Sequence, residues 1–286
     1  MLYSTQDGFQ LYFDIHNPRL HPQADGSLVE LPTIVVIHCG PGFDHTPYLN
    51  CFDQLHPYAQ IMYVDMHGNG RSSRGNTTTW NYDKWTSDLK ALFDSLGIHK
   101  PILLGHSWGG TVAQKFAIRY PYDVSRLILC ATAARFDVER MAQRFYELGG
   151  EQSQAAFREL WINGNNSEQA ESDYCDHCMP YLSVQPIDET ALFYNRVKMN
   201  ADLYQFFMKQ LTQTFNCTPH LLDIQAPTLL IAGDSDPITP REDMLAIQQH
   251  MQPGMAQLIT LADTSHQLIW EKQDELNQNI IDFVSS

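Results

Sequence analysis

In this 286-residue sequence, the residue most clearly placed to do chemistry is a serine in the middle of a short glycine-rich turn. The segment GHSWGG at 105–110 contains the pattern G-x-S-x-G, with Ser107 at its centre. An apolar run typical of a buried strand precedes it, and a helical pattern follows it. A tight strand-to-helix turn forces such a serine outward, above the carboxyl edge of a sheet. The pattern therefore predicts that Ser107 is a nucleophile, and that Gly105 and Gly109 are required because the backbones approach too closely for side chains.

Attack by a serine on a carbonyl group builds negative charge on the carbonyl oxygen, and backbone N–H groups are predicted to stabilise it. One donor is Trp108, at the start of the predicted helix, where the helix dipole also favours negative charge. The second lies in the segment HCGPG at 38–42, directly after another buried strand. We assign it to the N–H of Gly40, with Cys39 as the alternative. Each donor of this kind contributes roughly 10²–10³ in rate.

A serine hydroxyl also needs a general base. The sequence has twelve histidines, so the base is identified by where a histidine lies relative to the predicted strands. His266 lies directly after the last predicted strand and before the final predicted helix. Hydrolases with this serine turn order their residues along the chain as nucleophile, acid and histidine. We therefore predict His266 as the base, because His177 lies in a long helical segment and His220 and His250 follow no strand.

The acid that orients His266 is predicted in the segment GDSDP at 233–237, which ends the penultimate strand. This segment offers two carboxylates, Asp234 and Asp236. We predict Asp236 as the acid because it occupies the outward turn, and we expect Asp234 to cap or hydrogen-bond the loop. An aspartate in this position holds the imidazole in the correct tautomer and stabilises the imidazolium.

Three other segments contain residue types used in catalysis or metal binding. The segment CDHC at 175–178, with Asp173 nearby, has zinc-like spacing, but it lacks a second ligand pair, so no metal site is predicted. Cys39 has no histidine partner by pattern, and Ser107 already fills the nucleophile's role. The segment DMHGNGRS at 65–72 is predicted to have a structural role, shaping the pocket wall. We predict no cofactor, because acyl transfer by serine needs none.

These motifs all lie at the ends of predicted strands. Continuous apolar, β-branched runs predict strands that are covered on both faces. The predicted strands are 2–5, 9–15, 33–38, 61–65, 101–105, 126–130, 228–232 and 257–262, with a polar loop at 17–26. The predicted helices outside the insertion described next are 80–96, 108–120, 241–251 and 267–283. The alternation predicts an α/β fold: a mostly parallel sheet of about eight strands, with helices on both faces.

One long segment interrupts this alternation. Residues 134–217 contain helical patterns and many aromatic side chains but no buried-strand run. We predict a helical cap inserted between two core strands, so that the core consists of 1–133 and 218–286. A few of the aromatic residues are expected to line a pocket, and the rest to pack within the cap.

Composition limits the partners of the protein. The formal charge is −15, with 33 acidic and 18 basic residues and no basic cluster. Such a field repels nucleic acids and anionic membranes, so neither is expected as a partner. The chain opens without a charged-then-apolar leader and contains no apolar run near the roughly 20 residues that span a bilayer. We therefore expect a cytoplasmic protein, and its six scattered cysteines predict no disulfide framework.

Taken in order, the segments HCGPG, DMHGNGRS, GHSWGG, GDSDPITP and TSHQLIWE resemble the landmarks of the α/β-hydrolase superfamily. More narrowly, HCGPG resembles the HGGPG loop, and SHQLIWE the SHxxxWE segment, of proline iminopeptidases. The resemblance spans nearly the whole chain. It implies a capped α/β-hydrolase with the catalytic triad Ser107, Asp236 and His266.

Departures from the iminopeptidase pattern leave the substrate class open. Cys39 replaces a glycine of the oxyanion loop. These aminopeptidases bind the α-ammonium group of the substrate with carboxylates, and two positions where some members carry glutamate hold Pro237 and, by counting, Gln205. A buried ammonium group without a carboxylate is unfavourable. The remaining candidates for this role are Asp188, Glu189 and Asp202.

Three functions are consistent with the sequence. The first is a serine hydrolase that cleaves an ester or amide bond of a small molecule or short peptide through an acyl-enzyme, as an iminopeptidase does. The second is a carboxylesterase or lactonase without amine recognition, which Pro237 and Gln205 favour. The third is a non-catalytic receptor that binds a ligand beneath the cap, and the complete triad argues against it.

Overall fold

The computed structural model describes residues 1–185 and 196–286. The strands are β1 (Leu2–Ser4), β2 (Gln10–His16), β3 (Leu20–Pro22), β4 (Leu28–Glu30), β5 (Thr33–Ile37), β6 (Gln60–Asp65), β7 (Ile102–His106), β8 (Arg126–Cys130), β9 (Thr228–Gly233) and β10 (Ala256–Leu261). The α-helices are α1 (Tyr82–Leu96), α2 (Trp108–Arg119), α3 (Val138–Phe157), α4 (Glu168–His177), α5 (Ala201–Phe206), α6 (Thr212–Thr214), α7 (Arg241–His250), α8 (Leu268–Glu271) and α9 (Gln273–Ser285). Within these two ranges, no helix is both long and apolar enough to cross a membrane.

A mostly parallel sheet of eight strands forms the centre of the fold, in the order β1-β2-β6-β5-β7-β8-β9-β10. Strand β2 runs antiparallel to β1 and β6, and the other neighbouring strands are parallel. All eight predicted strands belong to this sheet, and their ends lie within one residue of the predicted bounds. The predicted α/β fold is confirmed, and the parallel strands bring their carboxyl ends to one edge, where α/β proteins bind ligands.

Strand β5 shows why continuous apolar runs predict these strands. All five of its residues are buried. Val35 and Ile37 pack into the apolar core on one side of the sheet, whereas Ile34 and Val36 pack into the core on the other side. Because successive side chains of a strand point to opposite faces, a strand covered on both faces is apolar at nearly every position, and in β5 only Thr33 is polar.

Helix α1 follows the predicted pattern closely. Its N-terminus is capped by Asn81, whose side chain accepts a hydrogen bond from the N–H of Lys84. Its C-terminus ends at Gly97, which has a φ of 62° and so adopts the left-handed conformation that glycine tolerates. Its buried face, which includes Trp85 and Leu89, packs in the core.

The single helix predicted at 267–283 is wrong, because the segment forms two helices, α8 and α9. Lys272 between them has non-helical backbone angles, with φ −135° and ψ 49°. The break allows α8 to follow its own direction, and its Trp270 donates a hydrogen bond to the carbonyl oxygen of Pro47 at 3.0 Å.

The loop predicted at 17–26 is also wrong in part, because it contributes to a two-stranded antiparallel hairpin of β3 and β4. The turn between these strands contains Gly26, which has a φ of 84°. Neither strand contains a buried residue, so the hairpin leaves no buried hydrophobic pattern in the sequence.

The segment between β8 and β9 contains the helices α3 to α6, and in its described residues it adds no strand to the main sheet. Its two ends meet: the N–H of Cys217 donates to the carbonyl oxygen of Ala134 at 2.7 Å. An isolated bridge pairs Arg135 with Asn216 immediately inside this contact. The chain therefore leaves the core and returns to it at one point.

The burial of Asp243, where α7 meets α3, makes stability dependent on pH. Arg140 pairs with the buried carboxylate of Asp243. Burial raises the pKa of Asp243 from 3.8 to about 7, although Arg140 opposes this shift. Because the folded protein holds this proton more tightly than the unfolded chain, the contribution of Asp243 to the free energy of unfolding falls as pH rises from about 4 to 7.

We therefore expect wild-type protein to lose about 2 kcal/mol more unfolding free energy between pH 5.5 and 7.5 than the variant Asp243→Asn. Urea unfolding of both proteins across this range measures the difference, and the comparison cancels the other titrating groups. Parallel pH curves for the two proteins would contradict the shift.

Candidate active site

Ser107 lies on the turn between β7 and α2, with φ 54° and ψ −119°. These angles are uncommon for a residue with a side chain and are typical of strained functional positions. The turn is packed too closely for side chains at its glycines: a Cβ atom on Gly105 would lie 2.5 Å from the carbonyl oxygen of Gly109, and one on Gly110 2.6 Å from Thr132. The sequence GHSWGG therefore has glycine where the turn requires it.

The three predicted triad residues lie in one chain of hydrogen bonds. The Oγ of Ser107 is 2.9 Å from Nε2 of His266, and Nδ1 of His266 is 2.9 Å from Oδ2 of Asp236. The three side chains come from three separate loops, which follow β7, β9 and β10 at the carboxyl edge of the sheet. This arrangement can move a proton from the hydroxyl to the imidazole while the carboxylate stabilises the resulting charge.

The environment of Asp236 keeps it ionised. Its Oδ1 accepts hydrogen bonds from the N–H groups of Ile238 (2.8 Å) and Thr239 (3.0 Å), and its Oδ2 accepts one from the Thr239 hydroxyl (2.8 Å). Complete burial acts to raise the pKa of Asp236, but the charge of His266 and these hydrogen bonds outweigh it and hold the pKa below its ordinary value.

The neighbouring carboxylate, Asp234, has a different role. It accepts hydrogen bonds from the N–H groups of Asp263 (3.1 Å) and Thr264 (3.2 Å). Within its own loop, Asp234 accepts a hydrogen bond from the Ser235 hydroxyl at 3.1 Å, as predicted. The other two bonds hold the loop after β10, which carries His266. The same loop is held from its other side, where the Ser265 N–H donates to Glu271 at 2.8 Å. His266 is therefore presented by a loop that is fixed at both sides.

The predicted oxyanion donors flank the serine. Trp108 is the first residue of α2, a position whose N–H has no partner within the helix. Gly40 lines the same cavity as Ser107, and its N–H has no hydrogen bond within the described ranges. By contrast, the N–H of the alternative donor, Cys39, donates to the hydroxyl of Tyr48 at 2.8 Å. This engagement leaves Gly40 as the better candidate.

A buried network behind the site, which no sequence pattern indicates, joins three of its loops. The hydroxyl of Tyr48 is 2.6 Å from Nδ1 of His106, and Nε2 of His106 is 3.0 Å from the carbonyl oxygen of His266. Burial lowers the pKa of His106 to about 3, so its ring is neutral. Because a carbonyl oxygen can only accept, Nε2 must carry the proton, and Nδ1 must accept one from Tyr48. The network thus fixes the relative positions of the Cys39 loop, the serine turn and the His266 loop.

We expect Tyr48→Phe to lower kcat by about 10- to 100-fold with little change in KM, through a loss of positioning equivalent to ~1.4–2.7 kcal/mol. The variant removes the acceptor of Cys39 and the donor of His106, so the loops that carry the oxyanion donor and the base lose their shared support. Steady-state kinetics on any ester or amide that the protein hydrolyses measure the effect.

Tyr63→Phe is the matched control for this prediction. Tyr63 is also fully buried, but its hydroxyl has no hydrogen-bond partner within the described residues. We expect this variant to retain wild-type kcat. Equal kcat in Tyr48→Phe and Tyr63→Phe would show that the network does not position the site.

A cavity of about 830 Å³ opens above Ser107 and His266. None of the described residues that line it is an aspartate, glutamate, lysine or arginine. The wall contributed by the inserted segment is mostly aromatic or aliphatic, and it includes Phe136, Trp161, Tyr174, Leu182, Tyr204 and Phe207. These residues surround the reacting groups with apolar surface, as in most small-molecule sites.

The described lining of the main cavity contains none of the residues considered for binding a substrate ammonium group. Asp202 is exposed and, like Gln205, lines a separate cavity of about 790 Å³. Pro237 does not line the main cavity. Asp188 and Glu189 lie outside the described residues.

The segment DMHGNGRS at 65–72 has the predicted structural role, but the prediction that it shapes the pocket wall is wrong, because none of its residues lines the cavity. The segment is mostly buried and supports the oxyanion loop from behind. Asn69 Oδ1 accepts a hydrogen bond from the N–H of Gly42 at 2.6 Å, and Asp65 Oδ1 accepts one from the N–H of His45 at 3.0 Å. Its carboxylate and amide groups therefore hold the backbone on which Gly40 lies.

The cysteines considered in the sequence are also located. Burial raises the pKa of Cys39 to about 11, which keeps its thiol protonated at neutral pH and disfavours it as a nucleophile. Cys175 is exposed at the cavity, whereas Cys178 is buried and its Sγ donates to the carbonyl oxygen of Ser153 at 3.3 Å. The two cysteines of the CDHC segment therefore face different surroundings.

The sequence model of the alpha/beta hydrolase fold matches residues 32–273. A proline iminopeptidase of Thermoplasma volcanium is 24% identical over 268 residues, which cover 89% of each chain. Among solved structures, a proline iminopeptidase of Mycobacterium smegmatis has a TM-score of 0.78 at 19% identity, with 100% of this chain and 97% of that chain covered. An esterase of Exiguobacterium antarcticum has a TM-score of 0.76 at 17% identity, with 100% and 99% covered.

These relatives confirm the resemblance to proline iminopeptidases that the motifs indicate. The esterase shares the fold. The family match extends over most of the chain and includes the turn of Ser107 and the loops of Asp236 and His266. The chain belongs to the alpha/beta hydrolase fold family.

Proposed function

We propose that the protein is a serine hydrolase in which Ser107, His266 and Asp236 form the catalytic triad. Its substrate is an ester or amide of a small molecule or short peptide, cleaved through an acyl-enzyme. The observation that carries this proposal is the continuous hydrogen-bond chain from Ser107 Oγ through His266 to Asp236, at 2.9 Å for each link. A receptor that only binds a ligand has no need of this alignment.

The proposed reaction has two steps. His266 takes the proton of Ser107 as the hydroxyl oxygen attacks the carbonyl carbon, and the N–H groups of Gly40 and Trp108 stabilise the oxyanion. The leaving group takes that proton from His266 and departs, which leaves the acyl-enzyme. Water then donates a proton to His266 and attacks the acyl carbon, and the return of that proton to Ser107 releases the acid.

We propose the domain division 1–133 with 218–286 as the core, and 134–217 as a cap. The hydrogen bond between Ala134 and Cys217 supports it, since both proposed boundaries lie at that contact. The aromatic wall that the segment contributes to the cavity supports its role as a lid over Ser107. The cap would then select the acyl group by shape and apolar contact.

Two substrate classes compete for this site. Similarity to proline iminopeptidases favours an amide whose acyl part is an N-terminal residue with a free amine. The uncharged wall in the described residues favours a second candidate, a carboxylesterase or lactonase for an uncharged acyl group. An ammonium group in an apolar cavity needs a counter-charge, and the described wall does not supply one.

Parallel assays with two substrate sets test the proposal, with Ser107→Ala as the blank. One set consists of short-chain aryl esters, and the other of arylamides of proline and alanine with a free amine. Arylamide cleavage that disappears when the amine is acylated identifies an aminopeptidase. Ester cleavage alone identifies the carboxylesterase candidate. Ligand binding without turnover of either set would contradict the proposed hydrolase.

A further inference from the structure

Three side chains of types that can ligate a metal lie together at the edge of the sheet opposite to Ser107. His16 is the last residue of β2, Asp53 begins a short 3₁₀ turn (Asp53–Leu55), and His56 follows that turn. One ligand atom from each lies within 4.8 Å of the other two. We propose that His16, Asp53 and His56 bind a divalent transition-metal ion, with Zn²⁺ as the preferred ion.

The backbone holds the three ligands together without any metal. The side chain of Asn17 donates hydrogen bonds to the carbonyl oxygens of His56 and Ala59, both at 3.0 Å, which ties the end of β2 to the turn before β6. The N–H of His56 donates to the carbonyl oxygen of Asp53 at 3.1 Å, so these side chains leave the same turn. The site is therefore largely formed before an ion binds, which reduces the ordering cost of binding.

One ring nitrogen in the cluster lacks a partner. Nε2 of His56 is shielded from solvent and makes no hydrogen bond within the described residues. It lies 3.5 Å from Oδ1 of Asp53, too far for a good hydrogen bond. A shielded polar atom without a partner is unfavourable, and coordination to a metal removes that penalty.

The ligand set indicates which ion fits. Two imidazoles and one carboxylate suit Zn²⁺ and its transition-metal neighbours, whereas Mg²⁺ and Ca²⁺ prefer oxygen ligands. Ligand atoms about 2 Å from a tetrahedral Zn²⁺ are about 3.3 Å apart. The half-exposed side chain of Asp53 can rotate to close the remaining distance, and water can complete the coordination. The net charge of −15 also raises the local concentration of cations.

The location indicates a structural role. His16 pairs with Ile61, near the amino end of β6, and the parallel strands β5 and β7 begin at the same edge. Ser107 follows the carboxyl end of β7, at the opposite edge. An ion at the cluster would join the end of β2 to the turn before β6, and would stabilise the fold without taking part in the proposed hydrolysis.

Titration calorimetry of the tag-free full-length protein with ZnCl₂, together with thermal unfolding, tests the proposal. We expect saturable binding and a higher Tm for wild-type protein, and at least tenfold weaker binding with no Tm increase for His16→Asn and His56→Asn. We expect MgCl₂ to produce neither effect. His220→Asn is the matched control, because His220 and Asp223 form a similar pair three residues apart, at 3.4 Å, with no third ligand among the described residues. It should keep wild-type affinity.

Asp53→Asn provides a further variant on the exposed side of the cluster, where folding is least disturbed. We expect it to weaken Zn²⁺ binding as well. Absence of saturable Zn²⁺ binding to wild-type protein would overturn the proposal. Wild-type affinity in both His16→Asn and His56→Asn, or an equal loss in His220→Asn, would also overturn it.

Discussion

Replacement of Ser107 by alanine is expected to lower kcat by about 10⁴–10⁶-fold while the protein remains folded. The variant removes the Oγ atom, which lies 2.9 Å from Nε2 of His266. The proposed oxyanion donors and the cavity remain, and we expect them to account for the residual rate. Alanine keeps the Cβ atom that the backbone already accommodates at φ 54°, so the turn is not further strained.

Kinetics on the best ester or amide substrate measure this effect, with circular dichroism to verify the fold. Ser87→Ala is the control, because the one hydrogen bond of the Ser87 hydroxyl in residues 1–185 and 196–286 goes to the carbonyl oxygen of Lys84 within α1. It should retain wild-type kcat. If Ser107→Ala keeps a tenth of the wild-type activity, Ser107 is not the nucleophile.

Replacement of Asp236 by asparagine is expected to lower kcat by about 10⁴-fold. The N–H groups of Ile238 and Thr239 require an oxygen at the Oδ1 position, so the amide nitrogen of the asparagine must face His266. This nitrogen donates to Nδ1, which drives the imidazole proton to Nε2. The base then faces Ser107 with a donor instead of an acceptor, and it cannot take the proton of the hydroxyl.

Asp234→Asn separates this effect from general damage to the loop. Asp234 lies two residues away and binds the backbone of Asp263 and Thr264, but it makes no hydrogen bond to His266. We expect it to lower stability and to change kcat by less than about tenfold. Equal losses of kcat in Asp234→Asn and Asp236→Asn would contradict the assignment of Asp236 as the acid.

The sheet and the positions of the candidate residues could be predicted because each depends on local sequence. A strand buried on both faces needs consecutive apolar residues, and β5 has them at the four positions from Ile34 to Ile37. A close-packed turn needs glycine, and Gly105 shows why. The residue at a strand end then lies at the carboxyl edge, which brings Ser107, Asp236 and His266 together once the strands are parallel.

Other features could not be predicted, because they depend on which distant segments pack together. The hydrogen bond between Tyr48 and His106 joins residues 58 positions apart, and neither residue lies in a pattern that indicates its partner. The burial of the segment 65–72 behind the oxyanion loop has the same origin, since Asn69 meets Gly42 only in the folded chain. The exposed hairpin of β3 and β4 has no buried face, so it leaves no hydrophobic signal.

Covalent labelling of the nucleophile tests the central claim most directly. Purified protein would be treated with a fluorophosphonate, which phosphonylates activated serines, and analysed by intact mass spectrometry and peptide mapping. We expect one adduct per chain, located on Ser107, with loss of hydrolysis in proportion to labelling. An adduct on another residue such as Cys39, or full hydrolytic activity in a protein whose Ser107 is completely labelled, would contradict the proposed mechanism.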